Sequence, residues 1–124
     1  MISFVGEEVE VSLERYAVVK VRNLPNVNYI AIVKGKEFEI VIPEKELVKL
    51  EKVSEVDTGY RLLKLDVNVP LDVVGYISKV SSAMANAKIP ILILSLFSDV
   101  ILVKEDFIDK ALNVLKDLGF SVRR

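Results

Sequence analysis

Hydrophobic and polar positions alternate through much of the first half of the chain. Val9, Val11 and Leu13 interleave with Glu8, Glu10 and Ser12, the period of two that turns one face of a β-strand toward a core. Residues 16–22 form a second apolar run. Asn23, Leu24, Pro25, Asn26, Val27 and Asn28 follow as turn chemistry, because Asn and Pro favour turn backbone. Residues 29–33 and 37–42 are strand candidates on either side of Lys34-Gly35-Lys36, a hairpin connection whose Gly supplies the flexible position. Pro43 suits a first helical position, so a short helical segment is expected over residues 44–52.

The pattern restarts near Asp57-Thr58-Gly59, where a module boundary is expected. Leu63, Leu65, Val67 and Val69 alternate with Lys64, Asp66 and Asn68. Val73, Ile77, Val80, Met84 and Ala87 then recur at helical spacing over residues 72–87, with Asp72 placed to cap the helix. Residues 91–96 and 100–103 flank a Phe97-Ser98-Asp99 turn. The stripe Phe107, Ile108, Ala111, Leu112, Leu115 and Leu118 predicts a helix over residues 105–118, stopped by Gly119 and followed by a strand at 120–123. This order, strand-helix-strand-strand-helix-strand, is the ferredoxin-like βαββαβ arrangement of an α+β fold, with both helices on one face of an antiparallel sheet. Residues 1–59 are expected to form a reduced module of similar element order, and residues 60–124 the complete one.

In that arrangement the strand after the first helix lies at a sheet edge. Here it reads Pro90-Ile91-Leu92-Ile93-Leu94-Ser95-Leu96, apolar on both faces, and a flat uncharged edge invites aggregation unless something covers it. Either the strand is central, or its edge pairs with another sheet, from the N-terminal half or from a second copy of the chain. The second reading, with antiparallel sheets paired edge to edge, is preferred.

Composition narrows the chemistry. The chain carries 17 basic and 18 acidic residues, a net charge of -1, which argues against a nucleic-acid partner. Lys34-Gly35-Lys36-Glu37-Phe38 lacks the second aromatic that base stacking on RNA-recognition modules uses. Cys, His and Trp are absent, which excludes thiolate or imidazole zinc sites and Ser-His or Cys-His catalysis. No catalytic residue, metal or cofactor is expected. The most apolar window, residues 89–103, falls short of the ~20 residues of a membrane helix and contains Pro90, Ser95, Ser98 and Asp99. No membrane span or leader segment is evident, so a cytoplasmic location is expected.

Gly75 is the most telling position, since Gly in a first helical turn costs roughly 0.5–1 kcal/mol against Ala. It serves either close helix packing or the approach of a ligand carboxylate to free backbone N–H groups. Asp72 reads as a cap, Asp99 as a turn residue, Tyr76 as packing, and Ser95 as a hydroxyl satisfied by backbone or lining a pocket.

The ordered set Pro70-Leu71-Asp72-Val73-Val74-Gly75, Ala87-Lys88-Ile89-Pro90-Ile91, residues 95–106, Lys110-Ala111-Leu112 and Leu118-Gly119-Phe120 resembles the ACT domain. It is similar in particular to tandem-ACT proteins related to the CASTOR-type arginine sensors and to the aspartokinase regulatory region. Tyr16-Ala17-Val18 and Glu37-Phe38-Glu39-Ile40-Val41 resemble the opening and later strands of such a module. The resemblance implies a non-enzymatic regulatory protein that holds an amino acid between its two modules and assembles as a homodimer or other homo-oligomer. It implies a ligand site at Asp72, Val73, Val74, Gly75, Tyr76 and Ile77, with Ser95 and Asp99. Leu96, Val100 and Glu39 depart from the family's usual Thr, aromatic and Ser. Val73 stands where relatives that bind basic amino acids carry an acid, so a small or apolar ligand is expected. The alternative is an ACT-fold domain retained for oligomerisation alone.

Overall fold

The computed structural model describes residues 4–66, 76–95 and 100–123, with Tyr76 and Ser95 described by backbone only. Its first strand, β1, runs unbroken over Glu8–Val21, so the two expected strands at 9–13 and 16–22 are one. Nothing between them breaks the extended backbone, since Glu14 and Arg15 are neither Gly nor Pro. β2 (Ala31–Lys34) and β3 (Phe38–Pro43) form the expected hairpin. A short 3-10 segment, Glu44–Lys49, stands where a helical segment was expected. β4 (Glu55–Asp66) starts earlier than the alternation indicated. α1 (Tyr76–Asn86), β5 (Leu92–Ser95), β6 (Val100–Lys104), α2 (Ile108–Asp117) and β7 (Ser121–Arg123) complete the order.

Contacts divide the chain into two compact units. Unit 1 combines Met1–Leu13 with Arg61–Arg124, and unit 2 is Glu14–Tyr60. The second crossing falls beside the boundary expected at 59/60. The first, at 13/14, has no counterpart in the sequence reading, which kept the opening residues with the N-terminal module.

In unit 1 the strand order is β7-β1-β4-β6-β5. β7 pairs in parallel with the start of β1, Val9 opposite Val122. The opening strand therefore lies between β4 and β7, the one described parallel pairing in a sheet otherwise expected to be antiparallel. Phe4 stacks on Phe120 with ring centroids 4.8 Å apart. Arg123 bonds the carboxylates of Glu8 at 2.8 Å and Glu10 at 3.0 Å. These contacts are why the first thirteen residues group with the last sixty-odd.

One core serves both helices of unit 1. Val9, Val11, Leu63, Leu65, Ile101 and Val103 on the strands meet Val80 and Met84 of α1 and Ile108, Ala111, Leu112 and Leu115 of α2. The helical residues recur at three- and four-residue intervals, so each helix buries a single stripe against one sheet face, as expected. Each large side chain taken from water contributes on the order of 1.5–3 kcal/mol. Both helices end in the same hydrogen-bond pattern. After α1, Ile89 N–H donates to Met84 O and Lys88 N–H to Ala85 O; after α2, Phe120 N–H donates to Leu115 O and Gly119 N–H to Lys116 O. This is the Schellman arrangement, which requires a left-handed residue at its corner: Lys88 at φ 61° and Gly119 at φ 114°.

Unit 2 orders its strands β2-β3-β1-β4. Tyr16–Val21 of β1 pairs antiparallel with β3, Val19 opposite Ile40. Ala17, Val19, Val21, Ile40 and Ile42 form its small core. The odd positions of β1 thus feed one core through Val9 and Val11 and another through Ala17, Val19 and Val21. Leu13, which shares their parity, is 90% exposed at the changeover.

β5 ends the strand path, paired antiparallel with β6. That rules out the central-strand reading. Within the described sheet its far edge has no strand beside it, so the expected edge-to-edge partner is not supplied there. Leu92 and Ile93 remain 40% and 45% exposed.

Candidate functional site

The residues expected to hold a ligand belong to unit 1. Asp72, Val73, Val74, Gly75 and Asp99 lie outside the described residues. Tyr76 opens α1 and Ser95 closes β5, where the ladder shifts register between Ile93 and Ser95. Ile77, one residue into the helix, packs against the unit 1 core. Val80 and Met84, further along the same stripe, are fully buried, so the apolar stripe of α1 is anchored in the unit 1 core.

Elsewhere in unit 1, Arg61 of β4 links Ser12 of β1 to Glu105, the residue after β6. Its guanidinium donates to the Ser12 carbonyl and pairs with both Glu105 oxygens at 3.2 Å. Leu62 N–H also donates to Ser12 Oγ at 3.0 Å. The charge is thereby spent on structure, with its side chain only 20% exposed.

Unit 2 carries a feature that sequence reasoning missed. Residues 21–26, following β1, and residues 49–54, between the 3-10 segment and β4, wall a groove of about 620 Å³. Ser54 N–H donates to Lys20 O at 2.8 Å, which fixes one wall to the other. Just outside the lining, Glu46 is 4% exposed. It accepts the Asn28 N–H at 3.0 Å and pairs with Lys49 Nζ at 2.8 Å. The Lys49 ammonium, and then the Asn28 amide, hold this carboxyl below the usual carboxylate range.

Arg22, Lys49 and Lys52 line the groove against one acid, Glu51. Lys49 is already engaged by Glu46, whereas Arg22 and Lys52 are exposed and form no ion pair among the described residues. In the sequence, residues 23–28 show turn chemistry alone. The signal was one cation just before that chemistry, Arg22, and another past the 3-10 segment, Lys52, legible only once the two loops are known to be neighbours.

The described residues offer little for acid-base work. Tyr60 donates to Asp57 at 2.5 Å, and burial followed by that carboxylate pushes its phenol up to about 12, so it stays protonated near neutrality. No three Asp or Glu side chains among the described residues are grouped to hold a metal ion. No described helix is long and apolar enough to cross a membrane.

Comparison with solved structures finds the same fold in several bacterial proteins. A protein of Agrobacterium tumefaciens superposes with a TM-score of 0.78 at 20% identity, covering 94% of this chain and 92% of that one. The ligand-free regulatory subunit of aspartate kinase from Thermus thermophilus gives 0.68 at 14% identity, with 92% and 97% covered. The aspartate kinase of Clostridium acetobutylicum gives 0.69 at 12% identity; 96% of this chain matches, but only 36% of the kinase. Comparison with curated proteins gives no match. The ACT domain family profile matches residues 55–117, from the start of β4 to the end of α2 and just over half the chain. With the sheet and its two helices arranged as described, the chain belongs to the ACT domain family.

Proposed function

We propose that this chain is a regulatory ligand-binding protein and not an enzyme, taking an amino acid at the start of α1 in unit 1. The match of residues 55–117 to the ACT domain carries the reading. It is supported by the likeness to a protein described as the regulatory subunit of aspartate kinase. In this proposal residues 72–77, leading into and opening α1, receive the ligand carboxylate, since a helix start offers backbone N–H donors. Ser95 and Asp99 answer its ammonium or side chain. The two units are a tandem of ACT-like modules, unit 2 being the reduced one, and the protein acts as a homo-oligomer.

A thermal-shift screen of the full chain against the twenty amino acids tests this, because a ligand at 100 times its Kd stabilises by roughly 2.7 kcal/mol. A small or apolar amino acid should raise Tm, and Gly75→Ala should abolish that rise without lowering the ligand-free Tm. A variant destabilised yet fully responsive would remove Gly75 from the site, and a response to none of the twenty would end the amino-acid reading. The second reading, an ACT-fold module kept for assembly, rests on the exposed apolar residues Leu92 and Ile93 of the edge strand β5. A Leu94→Lys variant that stays oligomeric by light scattering and melts unchanged would count against it.

A further inference from the structure

We propose that the groove of unit 2 binds a small organic polyanion, a phosphorylated or polycarboxylate molecule of metabolite size. This inference is independent of the amino-acid site, which lies in the other unit. The volume, about 620 Å³, falls within the roughly 300–1,000 Å³ usual for small-molecule sites. On a chain whose net charge is -1, three of the groove's residues are cations. Two of them, Arg22 and Lys52, have no ion-pair partner among the described residues. Clustered like charges left unpaired raise each other's energy, and a multiply charged anion relieves that repulsion while a monovalent one satisfies a single cation.

The groove is also shaped to take a carbon skeleton. Leu24 and Val53 line it and are 45% and 42% exposed. A ligand with charged ends and an apolar middle covers them while reaching Arg22 and Lys52. Arg22 offers a planar fork suited to two oxygens of a carboxylate or phosphate, and Lys52 a compact point charge. The scaffold is set before any ligand arrives. Glu46 pins Asn28 and Lys49, and Ser54 pins Lys20, so both walls are held by bonds that do not involve Arg22 or Lys52.

The test is a titration of the full chain, at low ionic strength, with citrate and separately with fructose 1,6-bisphosphate, followed by amide NMR shifts. Shifts should concentrate at residues 22–26 and 49–54. The Kd should rise about tenfold or more in an Arg22→Gln/Lys52→Gln double variant and should also rise with added salt. Both side chains are exposed, so the double variant should keep the parent Tm. A response to citrate alone assigns the site to polycarboxylates, and a response to the bisphosphate alone assigns it to phosphate esters. No shifts at these amides with either probe, shifts centred elsewhere, or an unchanged Kd in the double variant would overturn the proposal.

Discussion

Gly119→Ala should be among the most damaging single-methyl changes the chain can suffer, and the two helix ends of unit 1 show why. Lys88 and Gly119 hold the same corner of the same hydrogen-bond motif. At φ 61° Lys88 sits in the left-handed well, where a side chain costs about 1 kcal/mol relative to Gly. At φ 114° Gly119 lies beyond that well, where strain of about 1–3 kcal/mol is expected for a residue with a Cβ. A Cβ there would also stand 2.8 Å from Val5 N and 3.0 Å from Phe4 C. Those are backbone atoms, held by the stacking of Phe4 on Phe120, and they cannot swing aside as a side chain would. Strain and displacement together should cost about 3–4 kcal/mol, a Tm loss of roughly 10–15 °C for a chain of this size. Lys88→Gly should instead gain up to about 1 kcal/mol, offset by the entropy of a freer unfolded chain. Urea unfolding of both variants beside the parent measures the pair. If Gly119→Ala lies within about 1 kcal/mol of the parent, as the αL cost alone would allow, the close approach of Val5 to Gly119 is refuted.

Two further outcomes are expected. Because the folded-state pKa of Glu46 is lowered, its contribution to stability is present above the unfolded carboxyl value and is lost as pH falls through the folded one; Glu46→Gln should therefore flatten the acid limb of a Tm-against-pH curve below about pH 4.5, and an unchanged limb would place the acid sensitivity elsewhere. Excising residues 14–60 and joining Leu13 to Arg61 by a short Gly-Ser linker should leave a cooperatively unfolding unit 1, since Ser12 already bonds Arg61 and Leu62 directly; residues 60–124 alone, without Val9, Val11 and Phe4, should not unfold cooperatively by circular dichroism.

Much of the fold was legible because alternation survives translation into burial. Leu63 and Leu65 are at most 2% exposed, and the Ile108, Ala111, Leu112 and Leu115 stripe is buried where the spacing placed it. Local signals failed where a remote partner decides the outcome. Asp57-Thr58-Gly59 has turn composition yet lies inside β4, with Gly59 at φ 85° and its N–H donating 2.6 Å to Glu44. The changeover at Leu13 leaves no mark, because a strand passing from one core to another needs no Gly or Pro. The groove was invisible because Arg22 stands about thirty positions before Lys49 and Lys52. The start of α1 was indicated by resemblance and by Gly75, neither of which rests on alternation.

The parallel pairing of β7 with β1 also sets an order of events during synthesis. Unit 2 has all its strands once Tyr60 has been made, with contacts close in sequence and loops cheap to close. Unit 1 cannot finish until residues 121–123 emerge, because Arg123 meets Glu8 across 115 positions. Until then the start of β1 has β4 on one side, but the edge at Glu8, Val9 and Glu10 that β7 will take is still unpaired. Glu8 and Glu10, the residues that later receive Arg123, supply that waiting strand with the charge that discourages it from pairing with a neighbour.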